Sequence, residues 1–267
     1  MYEFNYHHAN SVADAAAKLA ALPDAKLLAG GQTLIAAMKL RLAAPSDLVD
    51  LKNVGELRGI KVDAGSLTIG AMTTHAEVAY SGEVRKAIPA LSELVGSIGD
   101  RMVRNMGTLG GSLANNDPAA DYPAAVLGLG ATVITNKRKI AADEFFRGMY
   151  ETALHAGEII TSVSFPVPKR AGYGKFKNPA SRYAIVGVLV SQGSAGVRVA
   201  ITGAAPCVFR SADMEKALTA DFSPDAVARI KVAEAELNAD MHASAEYRAH
   251  LITVMAKRAV EQALKSS

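Results

Sequence analysis

Apolar positions along the chain follow three successive patterns. The first runs to about residue 55 and alternates short helices with short strands. Ser11 precedes an alanine-rich helical run over Val12 to Leu22, with Asp14 in its first turn, and Pro23 stops it. Lys26 to Ala29 then reads as a short buried strand closed by Gly30-Gly31. A second helix follows, with Leu34, Met38 and Leu42 on one face at spacings of four, ended by Pro45. Leu48 to Leu51 is the next strand, so the local unit is βα with a glycine turn at its centre.

From about Gly55 the period shortens to two. Ile60 and Val62 alternate with polar neighbours, Asp63 to Ser66 makes a turn, and Leu67 and Ile69 return. A helix is predicted over Pro89 to Ile98. The stretch Arg101 to Pro123 shows little periodicity and is rich in Gly, Asn, Asp and Pro. A strand at Thr132 to Ile134, a turn at Asn136 to Arg138, a helical turn at Asp143 to Phe146 and a strand at Ile159 to Phe165 complete this part, which Pro166 and Pro168 close. The remainder opens with strands at Tyr183 to Val190 and Val197 to Ile201. It then turns helical after Ser211, over Pro224 to Leu237 and Ser244 to Leu264. The pattern predicts an α+β chain in three segments, 1–55, 56–168 and 169–267, the last a small sheet covered by helices.

Composition narrows the function. Half of the 267 residues are apolar, enough for a core without staples, and the net charge of +3 is too small to argue for nucleic acid. The densest basic region, Lys169, Arg170, Lys175, Lys177 and Arg182, reads either as a solvated loop or hairpin or as a contact for a phosphate or acidic partner. A single cysteine, Cys207, excludes an internal disulfide and an iron–sulfur cluster, and favours a reducing compartment. The six histidines have no metal-ligand spacing. The start lacks a secretory signal, and the longest apolar stretch, Ala124 to Ile134, is too short to span a bilayer, so the expected location is cytoplasmic.

Two double-glycine turns carry the chemistry: Ala29-Gly30-Gly31-Gln32-Thr33 and Thr108-Leu109-Gly110-Gly111-Ser112. Glycine lets a ligand approach the main chain, and such turns can aim successive N–H groups at an anion. The helix start after Gln32-Thr33 adds partial positive charge. Two such turns suit a diphosphate, although either alone is more often a tight connection. Asn115 to Pro123 packs amides, carboxylates and prolines into a stiff loop, read either as an Asx-rich surface loop or as a partner for ribose or ribityl hydroxyls. There is no GxGxxG after a strand, no P-loop and no GxSxG elbow.

These residues resemble the FAD-binding medium subunit of the xanthine dehydrogenase and aerobic carbon monoxide dehydrogenase family. The resemblance covers nearly the whole chain and rests on four runs: AGGQT from Ala29, LTIGAMTTHAEV from Leu67, RNMGTLGGSLANNDPAADYPAA from Arg104, and VAITGAAPCVFR from Val199. It implies the two-subdomain FAD-binding fold of vanillyl-alcohol-oxidase (PCMH) type, followed by a family-specific C-terminal domain. It also implies non-covalent FAD with its diphosphate wrapped by Ala29, Gly30, Gly31, Gln32 and Thr33, and by Thr108, Leu109, Gly110, Gly111 and Ser112. Lys26, Leu28 and Leu34 would line the same cleft, with Asn115 and Asp117. Asp121 matches an acidic residue near the cofactor's sugar. Tyr183 stands after Arg182 where an acidic residue is common, and reads equally as a neighbour of the isoalloxazine or as a surface strand residue. Ser112 replaces a frequent Asn, and Gln32-Thr33 a frequent Ser or Asp-Leu.

The implied function is electron transfer. A small partner subunit with two [2Fe–2S] clusters and a large molybdenum subunit would deliver electrons to this subunit's FAD, which would reduce NAD⁺, a quinone or oxygen, in a dimer of heterotrimers. No residue is an evident acid–base catalyst, and no metal site is predicted. The rival readings are an independent flavin oxidoreductase of the same fold and a non-redox nucleotide-binding scaffold.

Overall fold

The computed structural model describes residues 1–265, so the last two positions of the third segment lie outside the described residues. The N-terminal part is a three-stranded parallel sheet in the spatial order Asn5–His8, Asp47–Asp50, Ala25–Leu28. Ser11 caps the helix Val12–Ala21 by accepting the Asp14 N–H. The second helix is shorter than its spacing predicts, Leu34–Lys39. Arg41 turns left-handed (φ 61°), and the N–H groups of Arg41 and Leu42 close back onto the carbonyls of Met38 and Ala37. Met38 is buried as expected, whereas Leu42 leaves the helix face and is 79% exposed.

The middle part is a five-stranded antiparallel sheet in the order Ile60–Asp63, Ser66–Gly70, Ile160–Pro166, Thr132–Thr135, Lys139–Ala141. The first hairpin turns through Ala64 and Gly65, both left-handed. The stretch without periodicity is not irregular. It folds into three short helices, Arg101–Met106, Leu109–Asn115 and Tyr122–Gly128, each too short to display a clear repeat.

The C-terminal part is a four-stranded antiparallel sheet, Arg170–Lys177, Ala184–Gly193, Gly196–Thr202 and Phe209–Arg210, with a helix on each face. Ala245–Lys265 packs closely on one face, because a Cβ on Gly172 would lie 2.0 Å from the Ala259 carbonyl oxygen. Tyr122–Gly128 packs on the other. A Cβ on Gly128 would meet Leu189 at 2.5 Å, and Ser191 Oγ donates to the Gly128 carbonyl at 2.6 Å. The main core therefore runs from Leu67 and Phe165 through Tyr122 to Leu189 and Ala200, and joins the middle part to the C-terminal sheet.

Two expectations change here. The basic region lies on a hairpin, the strand Arg170–Lys177 paired with Ala184–Gly193 and the turn between them, but it is not solvated throughout, since the Lys175 side chain is buried. The helix predicted over Pro224 to Leu237 ends at Ala228. The following apolar residues Ile230, Val232 and Leu237 pack onto the core from an irregular segment, since their spacing fits no single helical face.

Candidate functional site

A cleft of about 620 Å³ lies where the N-terminal part, the middle part and the Ser181–Tyr183 turn meet. That volume is in the range of ligand clefts generally. Every residue expected at the cofactor lines it except Leu28 and Leu109. Leu28 packs beneath the first turn, its Cδ1 lying 3.5 Å from where a Cβ on Gly31 would stand. Leu109 is fully buried in the main core. The remaining members come together: Lys26, Ala29, Gly30, Gly31, Gln32, Thr33 and Leu34 from the first turn, Thr108, Gly110, Gly111 and Ser112 from the second, then Asn115, Asp117, Asp121 and Tyr183.

The two glycine turns touch each other directly. A Cβ on Gly30 would lie 2.1 Å from the Met106 carbonyl oxygen and 2.8 Å from the Gly107 Cα, so only a glycine lets the backbones approach this closely. Gly31 is left-handed (φ 71°), and the Gly111 Cα faces the Ala29 side chain. The turns differ in what they offer. The N–H groups of Gly30, Gly31, Gln32 and Thr33 donate to none of the other described residues, and Lys26 on the strand leading into them is exposed. This first turn is an open set of donors beside a cation.

The second turn is not a second set of open donors, as the sequence pattern suggests. It is the start of a helix capped by Thr108, and its amides from Leu109 to Ser112 are spent. Leu109 N–H donates to the Thr73 carbonyl (3.2 Å), Gly110 N–H to the Ala71 carbonyl (2.8 Å) and Gly111 N–H to Thr108 Oγ1 (3.2 Å). Gly110 is required by packing, because its Cβ would stand 2.7 Å from that of Ala71. What remains toward the cleft is the pair of hydroxyls on Thr108 and Ser112.

Asp121 lines the cleft but is buried and held from the C-terminal sheet. Tyr173 hydroxyl donates to its Oδ1 at 2.5 Å and Lys175 Nζ to its Oδ2 at 2.8 Å. Burial lifts the Asp121 carboxyl above its ordinary range, opposed by the Lys175 charge and by the two hydrogen bonds. The same loop is gripped at further points: Thr202 Oγ1 bonds the Pro118 and Ala120 carbonyls (3.1 and 2.7 Å), and Gly203 N–H the Pro118 carbonyl (2.8 Å). Asp117 Oδ1 caps the Ala119 N–H at 2.9 Å. Asn115 lies at the end of the second-turn helix, half-buried. Tyr183 is 48% exposed at the rim.

Sequence reasoning missed His75, which lines the cleft under the second turn and is 5% exposed. Its ring meets the Gly107 Cα position so closely that a Cβ there would be 2.6 Å from Nε2, while Nδ1 is enclosed with no hydrogen-bond partner among the described residues. Burial, aided by the Arg104 charge, holds its pKa down at about 4, so the imidazole is neutral near pH 7. The available signal was the Thr74-x-x-Glu77 capping box, which fixes where the helix His75–Tyr80 starts and hence where this ring points. Arg182, also unassigned, lines the cleft from a left-handed position (φ 63°) and donates to the Gly99 carbonyl at 3.2 Å.

An α+β chain with a cleft bounded by open turn amides, a cation and two hydroxyls offers the donors that an anionic ligand needs. Known proteins carry the same architecture. The family described as the FAD binding domain in molybdopterin dehydrogenase matches residues 2–168, and that described as the CO dehydrogenase flavoprotein C-terminal domain matches residues 171–263. The carbon monoxide dehydrogenase medium chain of Afipia carboxidovorans is 37% identical over 97% of this chain and 96% of its own length. The nicotine 6-hydroxylase medium subunit of Paenarthrobacter nicotinovorans is 36% identical over 95% and 94%. Among solved structures, the cyanide-inactivated Cu,Mo-CO dehydrogenase superposes with a TM-score of 0.91 at 36% identity, covering 100% of this chain and 99% of that one. Quinoline 2-oxidoreductase from Pseudomonas putida 86 follows at 0.88 and 31%, covering 98% and 97%. The chain belongs to the FAD-binding medium subunits of the xanthine dehydrogenase and carbon monoxide dehydrogenase family, and is an oxidoreductase subunit.

Proposed function

We infer that this subunit carries electrons within a molybdenum hydroxylase complex. It would accept them from [2Fe–2S] clusters of a small partner subunit and pass them to an external acceptor, while a large molybdenum subunit oxidises the substrate. The single observation that carries the reading is the open first turn. Four consecutive residues that line the cleft have N–H groups without partners among the described residues, next to Lys26 and to the Thr108 and Ser112 hydroxyls. That donor set fits a diphosphate, and the close approach at Gly30 leaves no room for any other side chain.

FAD, when bound, supplies the redox chemistry. The chain's own residues orient it. Gly30, Gly31, Gln32 and Thr33 would donate main-chain hydrogen bonds to the phosphates, with Lys26 countering their charge. Leu34 would close one end, and Thr108, Ser112 and the second turn's glycines the other. Asn115 and Asp117 would meet hydroxyls, and Tyr183 would cover the outer end. Leu28 and Leu109 would act only by packing, and Asp121 as the anchor of the loop that faces the sugar. Assembly as a dimer of heterotrimers in the cytoplasm belongs to the same reading. Among the described residues no helix is long and apolar enough to cross a membrane.

The test is purification of the native protein under mild conditions. A bound flavin gives a visible absorption spectrum, and an iron–sulfur chain and a large molybdenum chain should co-purify. Colourless material that takes up no FAD on reconstitution would overturn the assignment. A coloured chain isolated without partners would favour an independent flavin oxidoreductase.

A further inference from the structure

Gly107 is a glycine for a reason other than its own conformation. Its φ of −62° and ψ of 142° suit any residue, and what excludes a side chain there is the neighbour across the chain. The His75 N–H donates to the Gly107 carbonyl at 2.9 Å, and Thr74 pairs with Thr108 in an antiparallel bridge. The two residues are thereby set face to face, and a Cβ on Gly107 would stand 2.6 Å from His75 Nε2 and 2.8 Å from Cδ2. Both residues line the cleft. The glycine leaves the Nε2 edge of the imidazole uncovered at the cleft wall.

The back of the ring is closed. Nδ1 is buried with no hydrogen-bond partner among the described residues, and so is the hydroxyl of Tyr122, whose ring lies 5.3 Å away. No described residue bonds Nε2 either. A ring that served packing alone would be apolar here, because an imidazole gives up its water and gains no protein partner in exchange. Burial, then the Arg104 charge, keeps the ring uncharged near pH 7. An uncharged imidazole has one N–H and one bare nitrogen. A hydroxyl, which both donates and accepts, complements either tautomer. Position agrees with chemistry: the ring stands between the second turn and Tyr122, the residue after Asp121, so a ligand reaching from one to the other passes its open edge.

We propose that His75, left uncovered by Gly107, selects the occupant of the cleft by hydrogen-bonding through Nε2 to a sugar hydroxyl that flanks the diphosphate. This contact rests on the flavin reading, to which it adds a specificity-determining residue. FAD offers such a hydroxyl on either side of its diphosphate, from the ribityl chain or from the ribose. The ring is fixed in place before the ligand arrives, so little freedom is lost when the bond forms.

FAD, FMN, ADP and inorganic pyrophosphate are titrated by calorimetry into the full chain after removal of bound flavin. FMN carries the ribityl chain, ADP the ribose, and pyrophosphate neither. His75→Leu should weaken FAD about five- to tenfold, the loss of one hydrogen bond. It should weaken FMN or ADP by the same factor, which tells the two sugars apart, and leave pyrophosphate unchanged. His75→Gln, whose amide head reaches the place of Nε2, should restore most of the affinity, and Gly107→Ala should match His75→Leu. Nitrogen NMR of the wild-type ring needs no substitution: FAD should shift the His75 Nε2 resonance more than that of Nδ1. Equal FAD affinity in wild type and His75→Leu, a loss that extends to pyrophosphate, or an unmoved Nε2 resonance would overturn the contact and leave the flavin reading standing. A wild-type chain that takes up no FAD overturns the flavin reading, and the contact with it.

Discussion

Asp121 and Lys175 meet at 2.8 Å with their side chains 4% and 7% exposed, and this ion pair crosses from the loop before the helix Tyr122–Gly128 to the C-terminal sheet. Its geometry makes the sheet part of the cleft, because the loop carrying Asp117 and Asp121 is also tied to that sheet through Tyr173, Thr202 and Gly203. Removing one charge should leave the other buried and alone. Lys175→Met is expected to cost about 3–5 kcal/mol of stability in denaturant unfolding. The double variant Asp121→Asn/Lys175→Met should be less destabilised than either single one, and additive losses would show that the pair does not act as a unit.

Thr202 tests the same joint without charge. Thr202→Val loses the bonds to the Pro118 and Ala120 carbonyls at nearly constant shape. It should lower stability by about 1–2 kcal/mol and weaken FAD binding, measured by flavin titration, although Thr202 is absent from the cleft lining.

The glycines separate into two kinds. Gly30→Ala places a Cβ against the Met106 backbone and should abolish FAD uptake. Gly31→Ala, at φ 71° and 2.9 Å from the flexible Ile35 side chain, should cost about 1–2 kcal/mol and weaken binding without abolishing it. Gly82→Ala, where a Cβ meets nothing within 4 Å, is the control and should bind FAD normally. The three are compared by absorbance after reconstitution.

His75 predicts an acid-side loss of stability. Its pKa falls from 6.5 in the unfolded chain to about 4 when folded, so the unfolded state holds the extra proton between those values. Stability from this group is complete above pH 6.5 and declines as pH drops toward 4. Glu158, depressed from 4.5 to about 2, chiefly by its hydrogen bond with Arg138, acts in a lower window and in the same direction. Unfolding midpoints against pH should therefore flatten between pH 4 and 6.5 in His75→Gln and only below pH 4.5 in Glu158→Gln.

Local signals carried much of this protein. Ser11, the glycine at 65 and the period-two run around Leu67 each act on their immediate neighbours, so the helix Val12–Ala21 and the first hairpin form where the pattern places them. The glycine pairs likewise mark where chain must approach chain or ligand. By contrast, three helices of six or seven residues around the second turn left no readable period. The strand at Lys175 was masked by its charges, since a buried lysine is recognisable only once Asp121 is placed beside it.

The amino-acid order alone determined the two glycine turns, the lack of an intrachain disulfide and the family to which the chain belongs, because these depend on residue identity and short spacing. Tertiary structure decided how the turns divide their work. The amides of residues 30 to 33 donate to none of the other described residues, while those of Leu109 and Gly110 are spent on the Thr73 and Ala71 carbonyls, which the strand Ser66–Gly70 leads into. It also decided that His75 is neutral, that Asp121 answers to Lys175, and that Tyr150 faces solvent, since burial and partnership belong to the packed chain and not to any stretch of it.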